Sequence, residues 1–259
     1  MSSLTDYASA SARDSAAPAA SNPGLCIFRT DTKAIEISDG TNYLAYNNDG
    51  ISPGLTQGIS LDGNSDYGTV PNDTAIAISG DLSLLCWVYF DTAKYTPIIS
   101  KRTNTTNYDF YWRGDNGTNV LGFYDGSVGR SSTGTVSTGG WHHVAVVIDS
   151  GTSSTFYIDG VSAGSPGAFT ITSNSDDLQF GYLPTTEFLD GKMDDIAIYN
   201  RVLSGSEVSS IKNGIFPVNG LAGLWTFEGD SGSSFTDKSG NGNDGTLSGT
   251  ASLISVTSH

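Results

Sequence analysis

From residue 55 onward, short apolar runs recur at near-regular spacing: "GISLDG", "DLSLLCWVYFD", "TPIISKR", "NYDFYWRG", "NVLGFYDG", "WHHVAVVID", "STFYIDG", "DLQFGYL" and "GKMDDIAIYN". Runs of this length bounded by Gly, Asn, Asp and Ser read as strands joined by tight turns, and a long series of them predicts an antiparallel sandwich. In "NYDFYWR" the alternation puts Tyr108, Phe110 and Trp112 on one face and Asp109, Tyr111 and Arg113 on the other. The first set is expected in the core, as are Trp87, Trp141 and Trp225, which sit in or beside strongly apolar runs. A single helix is signalled by "LSGSEVSSIKNG", where Ser204 and Glu207 form a capping box and Gly214 supplies the stop.

The pattern changes ahead of residue 55. Residues 1–23 are Ala/Ser-rich with almost no large apolar side chain, too little to offset the entropy of ordering, so this arm is expected to be held by a partner. Residues 24–54 hold three short alternating runs separated by the turn signals "TDTK" and "DGTN", a small β-meander too small to be stable alone. Trimerisation of such a stem is one way to supply the missing contacts. The main domain is expected over residues 55–259.

The formal net charge of -15 removes one class of function, because no basic patch is available to release counterions from a nucleic-acid backbone. No apolar stretch approaches the length of a membrane span, so no membrane insertion is expected, and the start lacks the basic and apolar regions of a secretory signal. Cys26 and Cys86 both lie in apolar strand-like runs, where free thiols are expected.

The series "LDGNSDYGTVP", "LSLLCWVYFD", "GWHHVAVVIDSGTSSTFYIDGV", "FLDGKMDDIAIYNRVLSGSEV" and "GLWTFEGD…DKSGNGNDGTL" resembles the laminin-G-like, concanavalin A-like jelly-roll family over roughly residues 55–250. The resemblance implies an all-β antiparallel jelly-roll sandwich with one short helix. It also contains a departure: the "WTF…DKSGNGNDG" element, which usually opens such domains, here closes the chain. Either a second copy of the domain has been cut short, or a permuted strand and loop, residues 221–250, completes the same sandwich; the second is expected, since a lone strand could not bury Trp225 and Phe227.

The loop "DKSGNGNDGT" reads D-x-S-x-N-G from Asp237, the first half of a calcium loop, but Ser248 stands where the bidentate Glu of a helix-loop-helix site belongs. The family resemblance implies a structural calcium site of another kind, with Asp237, Ser239, Asn241 and Asn243 as oxygen donors and an outside carboxylate, Asp62, Asp194 or Asp195. Turn chemistry alone explains the same composition. For sugar, the mixed face of Asp109, Tyr111 and Arg113, with Asn116 and Tyr182 from nearby loops, offers rings to stack and polar groups to bond. The loops also carry Asn104 and Asp115.

Catalysis is not expected. "GVSAG" lacks the strand-to-helix turn of a nucleophile elbow, and "GDSG" lacks a suitably placed His. His142 and His143 adjoin on one strand, so they point to opposite faces and cannot share a metal. The carboxylate pair of a jelly-roll glycosidase is missing, since Asp194 and Asp195 are adjacent.

The stem "GLCIFRTDTKAIEISDGTNYLAY" resembles hairpins frequent in bacteriophage fibre and appendage proteins. Together these features favour a virion surface protein made in the host cytoplasm, docked to capsid or tail proteins through its arm and displaying a lectin-like domain toward host-surface polysaccharide. A secreted bacterial glycan-binding module or adhesin fragment, and a cement protein without a ligand, remain as alternatives.

Overall fold

The structure is a computed structural model and describes residues 5–7, 26–29, 34–38, 43–46, 56–102, 108–184, 187–256 and 259, with only the backbone described up to residue 56. The expected docking arm lies outside the described residues apart from Thr5–Tyr7, and Asn104 lies outside them too.

The N-terminal strands are β1 (Thr5–Tyr7), β2 (Cys26–Arg29), β3 (Ala34–Ser38) and β4 (Tyr43–Tyr46). The first half of the main domain contains β5 (Thr56–Asp62), β6 (Tyr67–Val70), β7 (Leu82–Phe90), β8 (Tyr95–Ser100), β9 (Asp109–Arg113), β10 (Val120–Tyr124) and β11 (Gly129–Thr135). Then follow β12 (Trp141–Asp149), β13 (Ser153–Ile158), β14 (Val161–Ser162), β15 (Leu178–Phe180), β16 (Tyr182–Leu183), β17 (Glu187–Phe188) and β18 (Asp190–Tyr199). A helix, α1 (Gly205–Lys212), precedes β19 (Ile215–Pro217), β20 (Leu221–Trp225), β21 (Ser234–Phe235), β22 (Gly245–Ser248) and β23 (Ser252–Val256).

Two antiparallel sheets form the sandwich. The front sheet runs β11-β10-β9-β8-β15-β6-β22-β21, and the back sheet runs β14-β13-β12-β7-β18-β5-β23 with β20 added beside β18. The all-β jelly-roll expectation therefore holds, and so does the helix: Ser204 Oγ accepts the Glu207 N–H while Glu207 takes the Ser204 N–H at 2.8 Å, closing the capping box. The N-terminal strands form a separate sheet, β1-β2-β3-β4-β19, whose first pair is parallel and whose last strand comes from the segment after α1.

The C-terminal segment contributes to both layers. β20 pairs with β18, β22 with β6 and β23 with β5, and Trp225 and Phe227 are fully buried between the sheets. Tyr108, Phe110 and Trp112 all point into that interior, with the Trp112 ring stacked 4.1 Å from Phe90. Cys86, a free thiol, is buried in the same layer.

A second apolar cluster lies outside the back sheet, where Leu85, Ala145, Ala197 and Tyr199 are roofed by Val208 and Ile211 of α1 and by Phe216 of β19. Trp87 is buried, as expected, but it and the partly exposed Trp141 pack outside the interior between the sheets. Both belong to neither apolar cluster and stand on the outer face of the back sheet. The run "LSLLCWVYF" hides this placement, because β7 is covered on both faces and its alternation disappears into an almost wholly buried strand.

Candidate functional site

The loop after β21 is closed by its own donors. Asp237 Oδ1 accepts the N–H groups of Leu224 (3.0 Å) and Ser239 (2.8 Å), and Oδ2 accepts the Ser239 hydroxyl (2.8 Å) and the Asn243 N–H (3.0 Å). The Asn241 and Asn243 amides donate to the Ala222 carbonyl, and the Trp225 indole N–H donates to Asn243 O at 2.8 Å. The loop thus staples its own backbone to β20 and fixes Trp225. Of this donor set, Asn243 Oδ1 is a buried oxygen without a partner, whereas a calcium shell needs six or more oxygens. Asp62 spends Oδ1 on the N–H groups of Asn64, Ser65 and Asp66 in its own turn. Asp195 occupies the bulge at which β18 changes partner from β5 to β20, and its charged neighbours are Asp194, Glu228 and His259. Among the described residues no group of three or more His, Cys, Asp or Glu could hold a metal ion, and in this loop the Asp237 carboxylate is engaged by donors of its own chain.

The outer face of the front sheet gathers most of the residues expected to meet sugar. Strand register aligns Tyr124, Asp109, Ser100, Gln179, Thr69 and Thr246 in one polar line across six strands. Beside this line the Tyr95 and Tyr111 rings lie 5.0 Å apart. Tyr111 lies over Gly122, where an added Cβ would come within 2.1 Å of its ring, so β10 needs glycine at that point. A second aromatic group is built from Tyr182, stacked 4.5 Å from Tyr67 and 4.7 Å from Phe188. The strands β8 and β6, which carry Tyr95 and Tyr67, are two strand spacings apart, about 10 Å.

Tyr111 is itself buried, so Tyr95 is the ring that this pair presents to solvent, and two other expected contact residues take other roles. Asp109 is fully buried: Oδ2 accepts the Tyr95 hydroxyl at 2.8 Å, and burial pushes its pKa up to about 6 against the pull of Tyr95 and Arg102. It is a positioning group for Tyr95, not a surface ligand. Asn116 is exposed, but its Oδ1 closes a turn by accepting from Thr118 N (3.1 Å) and Oγ1 (2.6 Å). Arg113 is partly exposed and 3.6 Å from Asp115, and Arg102 lies 4.9 Å over the Tyr124 ring. Tyr95, Tyr67 and Phe188 were not singled out from sequence. Their signal lay in pairings between strands far apart in the chain, which alternation within one strand does not report.

His142 bridges Ser137 Oγ and Asp159 Oδ2, each at 2.9 Å. The arrangement resembles a hydrolytic relay, yet the Gly139 N–H beside Ser137 is committed to Phe90 O at 3.0 Å, and Asp159 Oδ1 holds the His143 N–H. The relay ties the β11–β12 turn to the β13–β14 turn. On the other side of the strand, His143 is buried against Trp87, and burial lowers its pKa to about 3, so it is neutral.

Among solved structures, the fold is similar to that of a candidate carbohydrate binding protein from Bacteroides ovatus ATCC 8483, with TM-score 0.66 and 14% identity over 92% of this chain and 70% of that one. It is also similar to the heptameric SAP-like pentraxin of Limulus polyphemus, with TM-score 0.56 and 17% identity over 79% of this chain and 96% of that one. A third likeness is to domain 4 of an extracellular arabinanase from Geobacillus stearothermophilus, solved with arabinotriose, with TM-score 0.52 and 22% identity over 65% and 81% of the two chains. No curated protein matches the sequence. Residues 62–209, more than half of the chain, match the concanavalin A-like lectin/glucanases superfamily, and the chain belongs to that superfamily.

Proposed function

We propose that this chain is a non-catalytic glycan-binding protein whose sugar site is the outer face of the front sheet. The observation that carries the reading is the pair of aromatic groups, Tyr95–Tyr111 and Tyr67–Tyr182–Phe188, set beside a polar line on one sheet face. Rings of this kind stack on the apolar faces of pyranoses, while the partly exposed Arg113 offers hydrogen bonds to hydroxyls. Its superfamily and its likeness to a candidate carbohydrate binding protein and to an arabinanase domain support the class of ligand.

The finer reading places this domain on a bacteriophage virion. Residues 1–23 and the stem dock to capsid or tail proteins, the stem assembles as a homotrimer, and the sandwich faces host-surface polysaccharide. The motif in the stem supports this part.

The test is binding of the full chain to purified host-surface polysaccharides by calorimetry, with Tyr95→Ala and Tyr182→Ala as probes. Each substitution is expected to weaken binding about tenfold, or about 1.4 kcal/mol. Binding unaffected by either removes this face as the site, and absence of binding to any glycan favours a cement protein. For the finer reading, a chain lacking residues 1–52 is expected to be missing from purified particles.

A further inference from the structure

The outer face of the front sheet departs from the charge of the chain around it. The chain has 27 acidic residues against 12 Lys and Arg, yet β8, β9 and β10 together contain a single carboxylate, Asp109, and it is buried beneath Tyr95. Two guanidiniums share that face. Arg113 stands opposite Tyr95, and Arg102 lies 4.9 Å over the ring of Tyr124, which pairs with Asp109. Asp109 and Arg113 are the two ends of β9, so those levels are about 13 Å apart along the extended strand. The Tyr95 side chain bridges them, since it starts opposite Arg113 and its hydroxyl ends 2.8 Å from Asp109 Oδ2. Neither cation is tightly paired in place. Arg102 Nε, Arg113 Nε and Asp109 Oδ1 are buried atoms without a hydrogen-bond partner, and the ion pair of Arg113 is a 3.6 Å contact with the partly exposed Asp115. Beside α1, by contrast, Arg201 grips both oxygens of Glu207, at 2.6 and 3.1 Å.

We propose that the ligand of this face is an acidic glycan, an oligosaccharide bearing sugar carboxylates, with Arg113 and Arg102 each taking a carboxylate on either side of the Tyr95 ring. The inference rests on the glycan reading of the same face and narrows it. A guanidinium presents a planar fork that matches the two oxygens of a carboxylate, and such a charge-assisted pair is about twice as strong as a neutral hydrogen bond. The ring between the cations is the platform on which the apolar face of a pyranose stacks. With the two levels about 13 Å apart along the strand, one sugar ring cannot meet both cations. The face therefore selects a chain in which acidic sugars recur. A neutral glycan leaves both guanidiniums to water and gains only the stacking. The formal net charge of -15 opposes a polyanion at long range, but at physiological ionic strength that repulsion is screened within about 8 Å, so contacts on the face decide.

The test is calorimetry of the full chain at physiological salt with oligomers of galacturonate, glucuronate and mannuronate, each beside its carboxyl-reduced neutral counterpart. At least one acidic oligomer is expected to bind about tenfold or more tightly than its reduced counterpart. Arg113→Gln and Arg102→Gln are each expected to shrink that preference, and the double variant to abolish it, with the denaturant midpoint close to that of the native chain. A preference undiminished in the double variant overturns the assignment to these two residues. Neutral oligomers bound as tightly as their acidic parents, with binding still weakened in Tyr95→Ala, overturn the acidic preference and leave the glycan reading standing. Absence of binding to every acidic oligomer, while another polysaccharide binds in a Tyr95-dependent way, does the same. Should either arginine substitution unfold the chain, the paired oligomers decide on the native chain alone, and equal affinity within every pair overturns the proposal.

Discussion

The outer faces of the front and back sheets are built by the same strand alternation, yet the front face leaves Tyr95, Tyr124, Tyr67 and Tyr182 partly exposed. The back face is covered at one end by α1 and β19 and at the other by His259. What separates them is the chain that crosses each face afterwards. Leu85, Ala145 and Ala197 give the back face an apolar surface that must be roofed, and the segment 203–216 roofs it. The front face carries instead a polar line through Asp109, Ser100, Gln179 and Thr69, in which the Tyr95 hydroxyl donates to Asp109 and Thr69 Oγ1 donates to Gln179 Oε1.

The largest expected effect breaks the covered face. Ile211 is fully buried on the sheet-facing side of α1, so Ile211→Ala is expected to cost about 2–5 kcal/mol of stability while leaving sugar affinity unchanged. Denaturant midpoints and calorimetry on the still-folded variant check this. An affinity loss as large as that of Tyr95→Ala would show that the two faces are coupled.

The next effect belongs to the open face and depends on pH. Asp109 has a folded-state pKa of about 6, above the ordinary carboxylate value of 3.8, because burial penalises its charge. A group raised in this way contributes stability that is fully present below pH 3.8 and is lost as pH rises through about 6. Asp109→Asn, which keeps an acceptor for Tyr95, is therefore expected to gain on the wild type by about 2 kcal/mol between pH 4 and pH 8. Parallel stability curves across that range would remove the buried charge from the account. A smaller cost, about 1–2 kcal/mol, is expected from Gly122→Ala, whose methyl must push the Tyr111 ring aside. Sugar affinity is expected to fall with it, and an unchanged affinity would exclude Tyr111 from the site.

The same contrast explains what could be read from the sequence. The sandwich was legible because turn residues punctuate short strands throughout, and the helix because Ser204 and Glu207 are three residues apart. Phe110 and Trp112 were legible because β9 is apolar on one face and mixed on the other. Asp109 was misjudged as a surface group for a reason outside its own strand, since Tyr95 comes from β8 and covers it. Trp87 is buried, as its apolar run implies, but the face that buries it and Trp141 was not legible, because an apolar run does not say whether its cover is the opposite sheet or a later segment. Nothing local to either tryptophan announces that the ring covering both belongs to residue 259.

The smallest expected effect concerns the loop at residues 237–246, which joins the two faces by anchoring β20 and leading into β22. Its Asp237 carboxylate accepts four donors from within the chain, so the negative charge that would draw calcium is already offset by N–H and O–H dipoles. A ligand that binds the folded state raises the melting temperature in proportion to RT ln(1 + [L]/Kd), about 2.7 kcal/mol at a hundredfold excess over Kd. Calcium at millimolar concentration, or its removal by chelation, is accordingly expected to shift the midpoint by less than about 1 °C, whereas Asp237→Ala is expected to lower it by several degrees through the loss of those bonds. A calcium-dependent rise of several degrees that disappears in Asp237→Ala would mean that the loop exchanges its internal donors for an ion. The link between the two faces would then be a metal staple and not a network of turns.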